Sequence, residues 1–225
     1  IKSFTINGDL SGSGTIDMSS PTLTHTMTLR GASNSIGALT NGVAASTINY
    51  NANVDQTVFA SPNYRNLTIS TGGVKTLQGD AGVGGNLNIL AGTFNLGTVA
   101  TSVSISGTAS VSGSLNFGSG NDKTVTVGNN FAIGASGSVI MDSSPGNILQ
   151  LRGATNTLTA GGIFTAGNDS QKVIYDGDIN QNVMALSYNN LSIGNFNSAS
   201  STARTKTQSG NIIINKDLNV DGYST

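Results

Sequence analysis

The sequence predicts an all-β chain folded as one continuous parallel β-solenoid, or β-helix, over residues 1–225. About nine to eleven coils of roughly 20 to 30 residues are expected, with a right-handed coil. Three observations predict this fold. Apolar and small polar residues alternate in short runs that end at Gly or Asn, which is the period-two signature of half-buried strands. The same phrases return, in the same order, about 124 residues later. Composition leaves little for helices: 9% of residues are charged, against about 25% in ordinary soluble domains, and all 11 acids are aspartate.

Taken in chain order, the strand signals begin with "TLTHTMTL", in which Thr22, Thr24, Thr26 and Thr28 are expected to share one face. They continue through "NLTIS", "NLNIL", "TFNLG" and "SVSIS", then "SLNFG", "TVTVG", "FAIG" and "SVIMD", and close with "NLSIG" and "NIIIN". Leu67 and Ile69 recur twenty residues on as Leu87 and Ile89, and Leu115 and Phe117 follow after a further twenty-eight. An immunoglobulin-like sandwich competes for such strands, but it usually shows a buried Trp and longer strands. Trp is absent here and aromatics are 5% of the chain, so small residues at corners and slender apolar residues inside favour the stacked coil. At about 4.8 Å per layer the rod is expected to be roughly 45 to 55 Å long.

The longer repeat sets the domain organisation. "NYRNLTIS" with Tyr64 returns as "SYNNLSIG" with Tyr188; "LRGASNSI" with Arg30 returns as "LRGATNTL" with Arg152; "KTLQGDAGVGGNLNI" from Lys75 returns as "KTQSGNIIINKDLNV" from Lys206. Approximate internal repeats therefore cover residues 1–121 and 122–225, with the second expected to be incomplete, as in a window on a longer tandem array.

Composition also excludes function classes. A net charge of −1 gives no electrostatic reason for a nucleic-acid or anionic-membrane partner. No run reaches the ~18 apolar residues of a spanning helix, so membrane insertion is not expected. With no Cys and a single His, metal-thiolate sites are ruled out and a zinc site at His25 lacks partners, so no cofactor or metal is expected.

Chemistry is sparse. The one local candidate for acid–base work is "YDGDIN", where Asp176 and Asp178 are two apart and expected on one strand face. The first copy reads "YNANVD", with Asn51 and Asn53 at those places, which points to a polar turn and not to a catalytic pair. The matched residues Arg30 and Arg152, Lys75 and Lys206, and Tyr64 and Tyr188 have two readings. Either the cations close turns by capping carbonyls, which is the expected role, or the matched positions form a periodic ligand-facing row.

The stretch "NYRNLTISTGGVKTLQGDAGVGGNLNILAGTFNLG" resembles the repeats of very large cell-surface proteins of Bacteroidota, adhesin-like and exported by the type IX route. It is more loosely similar to filamentous-haemagglutinin-type β-helical adhesins. The resemblance is close over Tyr64 to Gly97, with an echo from Tyr188 to Val220. It implies a bacterial outer-surface location and a non-enzymatic, structural or adhesive role as a stiff stalk. The implied partners are neighbouring repeats, surface glycans or other cells. Two alternatives stand beside it: a filament subunit associating end to end or laterally, and a polysaccharide-active β-helix enzyme.

Overall fold

Alternation decides the local structure first. In "HTMTL", Met27 and Leu29 are fully buried while Thr26 and Thr28 stay half-buried, and the in-and-out pattern recurs from run to run. The computed structural model describes residues 2–41, 45–120, 122–142, 144–194 and 204–221, and among them all the regular elements are strands.

The first coils carry two strands each, β1 (Lys2–Ile6) and β2 (Thr15–Met18), then β3 (His25–Leu29) and β4 (Ala38–Asn41). A bridge between Leu10 and Asn34 fills their third side. Thereafter each coil has three: β5 (Thr47–Tyr50), β6 (Gln56–Val58) and β7 (Ser61–Tyr64), followed by β8 (Asn66–Ile69), β9 (Val74–Leu77) and β10 (Ala81–Val83). Next come β11 (Leu87–Ile89), β12 (Thr93–Asn95) and β13 (Ser102–Ile105), then β14 (Ala109–Val111), β15 (Ser114–Asn116) and β16 (Thr124–Val127). The chain continues through β17 (Phe131–Ile133), β18 (Ser138–Ile140) and β19 (Ile148–Leu151), then β20 (Asn156–Leu158), β21 (Ile163–Thr165) and β22 (Lys172–Tyr175). It closes with β23 (Gln181–Val183), β24 (Ser187–Tyr188) and β25 (Asn190–Gly194), then β26 (Lys206–Gln208), β27 (Ile213–Ile214) and β28 (Leu218–Asp221).

Every ladder is parallel, and the strands stack into three faces. The first runs β1, β3, β5, β8, β11, β14, β17, β20; the second β6, β9, β12, β15, β18, β21; the third β7, β10, β13, β16, β19, β22, β25, β28. Three further pairs extend these columns at the ends: β2 with β4, β23 with β26, and β24 with β27. The result is a β-solenoid of about nine turns, as the sequence predicts.

The core is a set of vertical columns, because parallel in-register stacking puts like positions above one another. On the first face Phe4, Met27, Ile48, Leu67, Leu87, Ala109 and Phe131 stack in sequence. On the third face Ala81, Val103, Val125, Leu149, Val173 and Leu191 do the same. Each such Leu, Ile or Val contributes roughly 1.5 to 3 kcal/mol by leaving water.

Two readings of spacing need correction. Leu115 does not stack on Leu87; it pairs with Phe94 on the second face, and the rung above Leu87 is Ala109. The twenty-eight-residue step is therefore one coil plus one face. The threonine row is also shorter than expected, because β3 starts at His25. Before it the chain is bent around Pro21, with the Ser20 hydroxyl accepting from the Leu23 amide at 3.0 Å, so Thr22 and Thr24 lie outside the strand.

The long repeat has a phase that residue spacing does not reveal. The counterparts of β5, β8 and β11 are β22, β25 and β28, each seventeen strands later. At three strands per turn, seventeen strands make five and two-thirds turns. The second copy is therefore turned by one face relative to the first: β5 and β8 lie on the first face, while β22 and β25 lie on the third.

Candidate functional site

Parallel stacking leaves the corners as the difficult places. There the backbone turns inward carbonyls away from any ladder, and a buried carbonyl without a partner costs about 1 to 3 kcal/mol. The matched residues of the repeat gather at these corners.

Gln56, 3% exposed, donates its amide to the carbonyls of Leu29 (3.2 Å) and Gly31 (2.7 Å) and accepts from the Ala52 amide at 3.0 Å. Gln181 repeats this on Leu151 (3.0 Å) and Gly153 (2.8 Å) and accepts from Gly177 at 2.8 Å. Above Gln56 sits Lys75, completely buried, whose ammonium donates to the carbonyls of Ala52 and Val54, each at 2.7 Å, and of Gly72. Above Gln181 sits Lys206, donating to Gly177 (2.6 Å), Ile179 (3.2 Å) and the Gln181 side-chain oxygen. Desolvation pulls both ammoniums down in pKa, Lys206 to about 8 even with Asp176 and Asp178 holding it up.

The tyrosines are equally internal. The Tyr64 hydroxyl lies 3.2 Å from that of Tyr50 and donates to the Phe59 carbonyl at 2.6 Å, while the Tyr50 hydroxyl accepts from the Phe59 amide at 3.2 Å. Tyr188 and Tyr175 reproduce the arrangement around Met184. Burial pushes all four phenols up, Tyr175 to about 12.

Arg30 is exposed and reaches the Asn7 side-chain oxygen at 3.4 Å; Arg152 is half-buried and pairs with Asp176 at the same distance. Of the six matched residues, the structure therefore turns Lys75, Lys206, Tyr64 and Tyr188 onto the protein's own backbone and places the two arginines at corners. Because the second copy is turned by one face, no matched pair shares a face.

Sequence reading missed a second corner column, between the second and third faces. Thr101, Lys123, Asn147, Gln171 and Asn189 stack there in successive coils, all buried. Thr101 donates to the Leu96 and Val99 carbonyls and Lys123 to that of Gly120. Asn147 donates to Met141, Gln171 to Asp142 and Ser144, and Asn189 to Ala166, Gly167 and Asn168. The signal for it was a polar residue just before each of β13, β16, β19, β22 and β25.

Asp176 and Asp178 do not share a strand face. Both follow the end of β22 at Tyr175, and the turn at Gly177 buries Asp176 and exposes Asp178. Asp176 accepts from the Gln150 amide at 2.6 Å, and Asp178 from the Arg204 guanidinium at 2.9 Å. Among the described residues no three His, Cys, Asp or Glu side chains gather in a way that holds a metal ion, and no helix is long and apolar enough to cross a membrane.

A cleft opens on the outside, about 370 Å³, where Ser33, Asn34, Ser35, Thr57 and Gln78 surround the apolar Ile36, Phe59 and Ala60. It contains no charged residue. Comparison with known protein families, curated proteins and solved structures returned no match for the chain.

Proposed function

We propose that this chain is a non-enzymatic structural segment of a large extracellular surface fibre, an adhesin-like stalk of the kind its Tyr64 to Gly97 stretch resembles, on the outer surface of a bacterium. The observation that carries the reading is that the polar residues matched between the two copies at inward positions, Gln56 and Gln181, Lys75 and Lys206, and the two tyrosine pairs, are all spent on the protein's own backbone. At outward strand positions the copies differ, Thr28, Thr47 and Asn49 standing opposite Gln150, Lys172 and Ile174, while the corner arginines Arg30 and Arg152 are kept. A scaffold with free faces has that pattern; a repeated ligand site has the opposite one.

Stiffness comes from the stacked ladders and from the corner donors Gln56, Lys75, Gln171, Gln181, Asn189 and Lys206, which tie each coil to the one before. Contact with glycans on surfaces or other cells falls to uncharged groups, of which the cleft beside Phe59 offers hydroxyls and amides around apolar side chains. Immunogold electron microscopy on intact source cells, with an antibody raised to the folded chain, tests the location and the role together. Label strung along thin fibres leaving the surface is expected. Label confined to the medium or the cytoplasm overturns the stalk reading.

A further inference from the structure

The cleft beside Phe59 lies between residues 33–36 of one coil and 57–60 of the next, with Gln78 contributed by the coil after that. Ser33, Ser35, Ala60 and Gln78 are exposed, Ile36 is half-buried, and Phe59 is 4% exposed, so it shows only an edge. Asn34, in the wall, is 2% exposed. Its amide donates to the Gly31 and Thr57 carbonyls at 3.0 and 3.2 Å, and its side-chain oxygen has no donor. The second copy keeps this asparagine, with an unpartnered oxygen, as Asn156, but not the lining opposite it: Thr57, Phe59 and Gln78 correspond to Asn182, Met184 and Ser209. The cleft's lining therefore belongs to the first copy and is not imposed by the repeat.

We infer that this cleft takes a neutral saccharide, an inference that rests on the surface-contact reading above and gives it a place on the rod. The lining turns other ligands away one by one. It carries no charge, so a phosphate, a carboxylate or a cation finds no counter-charge there to offset its desolvation. A hydrocarbon strips water from the hydroxyls of Ser33 and Ser35 and from the Gln78 side chain without replacing their hydrogen bonds. An extended peptide needs an open strand edge, and here Asn34 and Thr57 already bond one another while β6 pairs with β9. A pyranose meets all three conditions. Its C–H face suits the apolar Ile36, Ala60 and Phe59 edge, and its hydroxyls, each donor and acceptor at once, suit a rim of hydroxyls and amides. Gln78 is steadied for this by its own bond to the Thr76 carbonyl at 3.0 Å.

Amide NMR shift titration of the 225-residue chain tests this, with cellotetraose, mannotetraose, xylotetraose and laminaritetraose as neutral probes and trigalacturonate as the charged one. Shifts confined to residues 33–36, 57–60 and 78 are expected with at least one neutral probe and absent with trigalacturonate. Ala60→Trp fills the cleft from an exposed position and is expected to weaken binding at least about tenfold. Ala185→Trp, at the matched and likewise exposed place in the second copy, leaves it unchanged. Gln78→Ala takes one exposed amide from the rim, is expected to weaken binding several-fold, and decides the matter if Ala60→Trp alters the circular dichroism spectrum. The inference is overturned if no neutral probe shifts these amides, if trigalacturonate binds as well, if Ala185→Trp weakens binding as much as Ala60→Trp, or if the folded cleft variants bind like the unmodified chain. A chain found along surface fibres that binds none of the probes sinks this inference alone. Probe binding by a chain that immunogold labelling finds only in the medium sinks the stalk reading alone.

Discussion

The hydroxyls of Tyr175 and Tyr188 lie 3.0 Å apart in the core, one face round the rod from Tyr50 and Tyr64, which make the same contact at 3.2 Å. Each pair closes on a backbone amide and carbonyl of one residue, Met184 or Phe59. The pairs give the chain an alkaline limit. Their folded pKa values stand above the unfolded value near 10, so the unfolded state releases protons first and stability falls as pH rises past 10. Each tyrosine contributes up to about 1.4 kcal/mol of loss per pH unit there. A spectrophotometric titration at 295 nm is expected to show these four phenols ionising only together with unfolding; reversible ionisation of all of them near pH 10 in the folded chain contradicts it.

Removing one hydroxyl separates the roles within a pair. Tyr188→Phe leaves the Met184 carbonyl without its donor and is expected to cost about 1 to 3 kcal/mol, measured by urea unfolding. Tyr64→Phe should cost a similar amount at Phe59.

Gln181→Leu removes one of two donors from each of the Leu151 and Gly153 carbonyls, which keep the Asp176 amide and the Asn156 side chain, and takes the acceptor from the Gly177 amide, so about 1 to 3 kcal/mol of stability should go. Gln56→Leu is expected to match it within the error of the measurement, since Leu29 and Gly31 lose the same donor.

Lys206 sets a milder pH dependence of opposite sign. Its folded pKa of about 8 lies below its ordinary 10.5, so between those values the unfolded state holds more protons and stability rises with pH. Lys206→Met is expected to flatten that rise between pH 8 and 10, read from unfolding midpoints at several pH values, and to leave the tyrosine-driven fall above pH 10 in place.

Asp176→Asn tests the turn against the catalytic reading. Its first-copy counterpart is Asn51, and the carboxylate partner Arg152 is half-exposed, so a loss of no more than about 1 kcal/mol is expected. Gly153→Ala, by contrast, puts a methyl 2.2 Å from the Asn129 backbone and should cost at least about 2 kcal/mol; the matched Gly31 meets the Gly8 carbonyl at 2.3 Å.

The sequence by itself determined the strands, the parallel stack and the existence of two copies, because period-two alternation and recurring phrases are local properties of the chain. It also marked Lys75 with Lys206 and Tyr64 with Tyr188 as matched places, without deciding which way they face. Tertiary structure decided the rest. The carbonyls that Gln56 and Gln181 close lie 25 to 30 residues upstream, so the need for those glutamines appears only once one coil rests on another. The turn of one face between copies is likewise invisible in residue spacing. It is the remainder when seventeen strands are wound three to a coil, and only the closed coil sets that divisor.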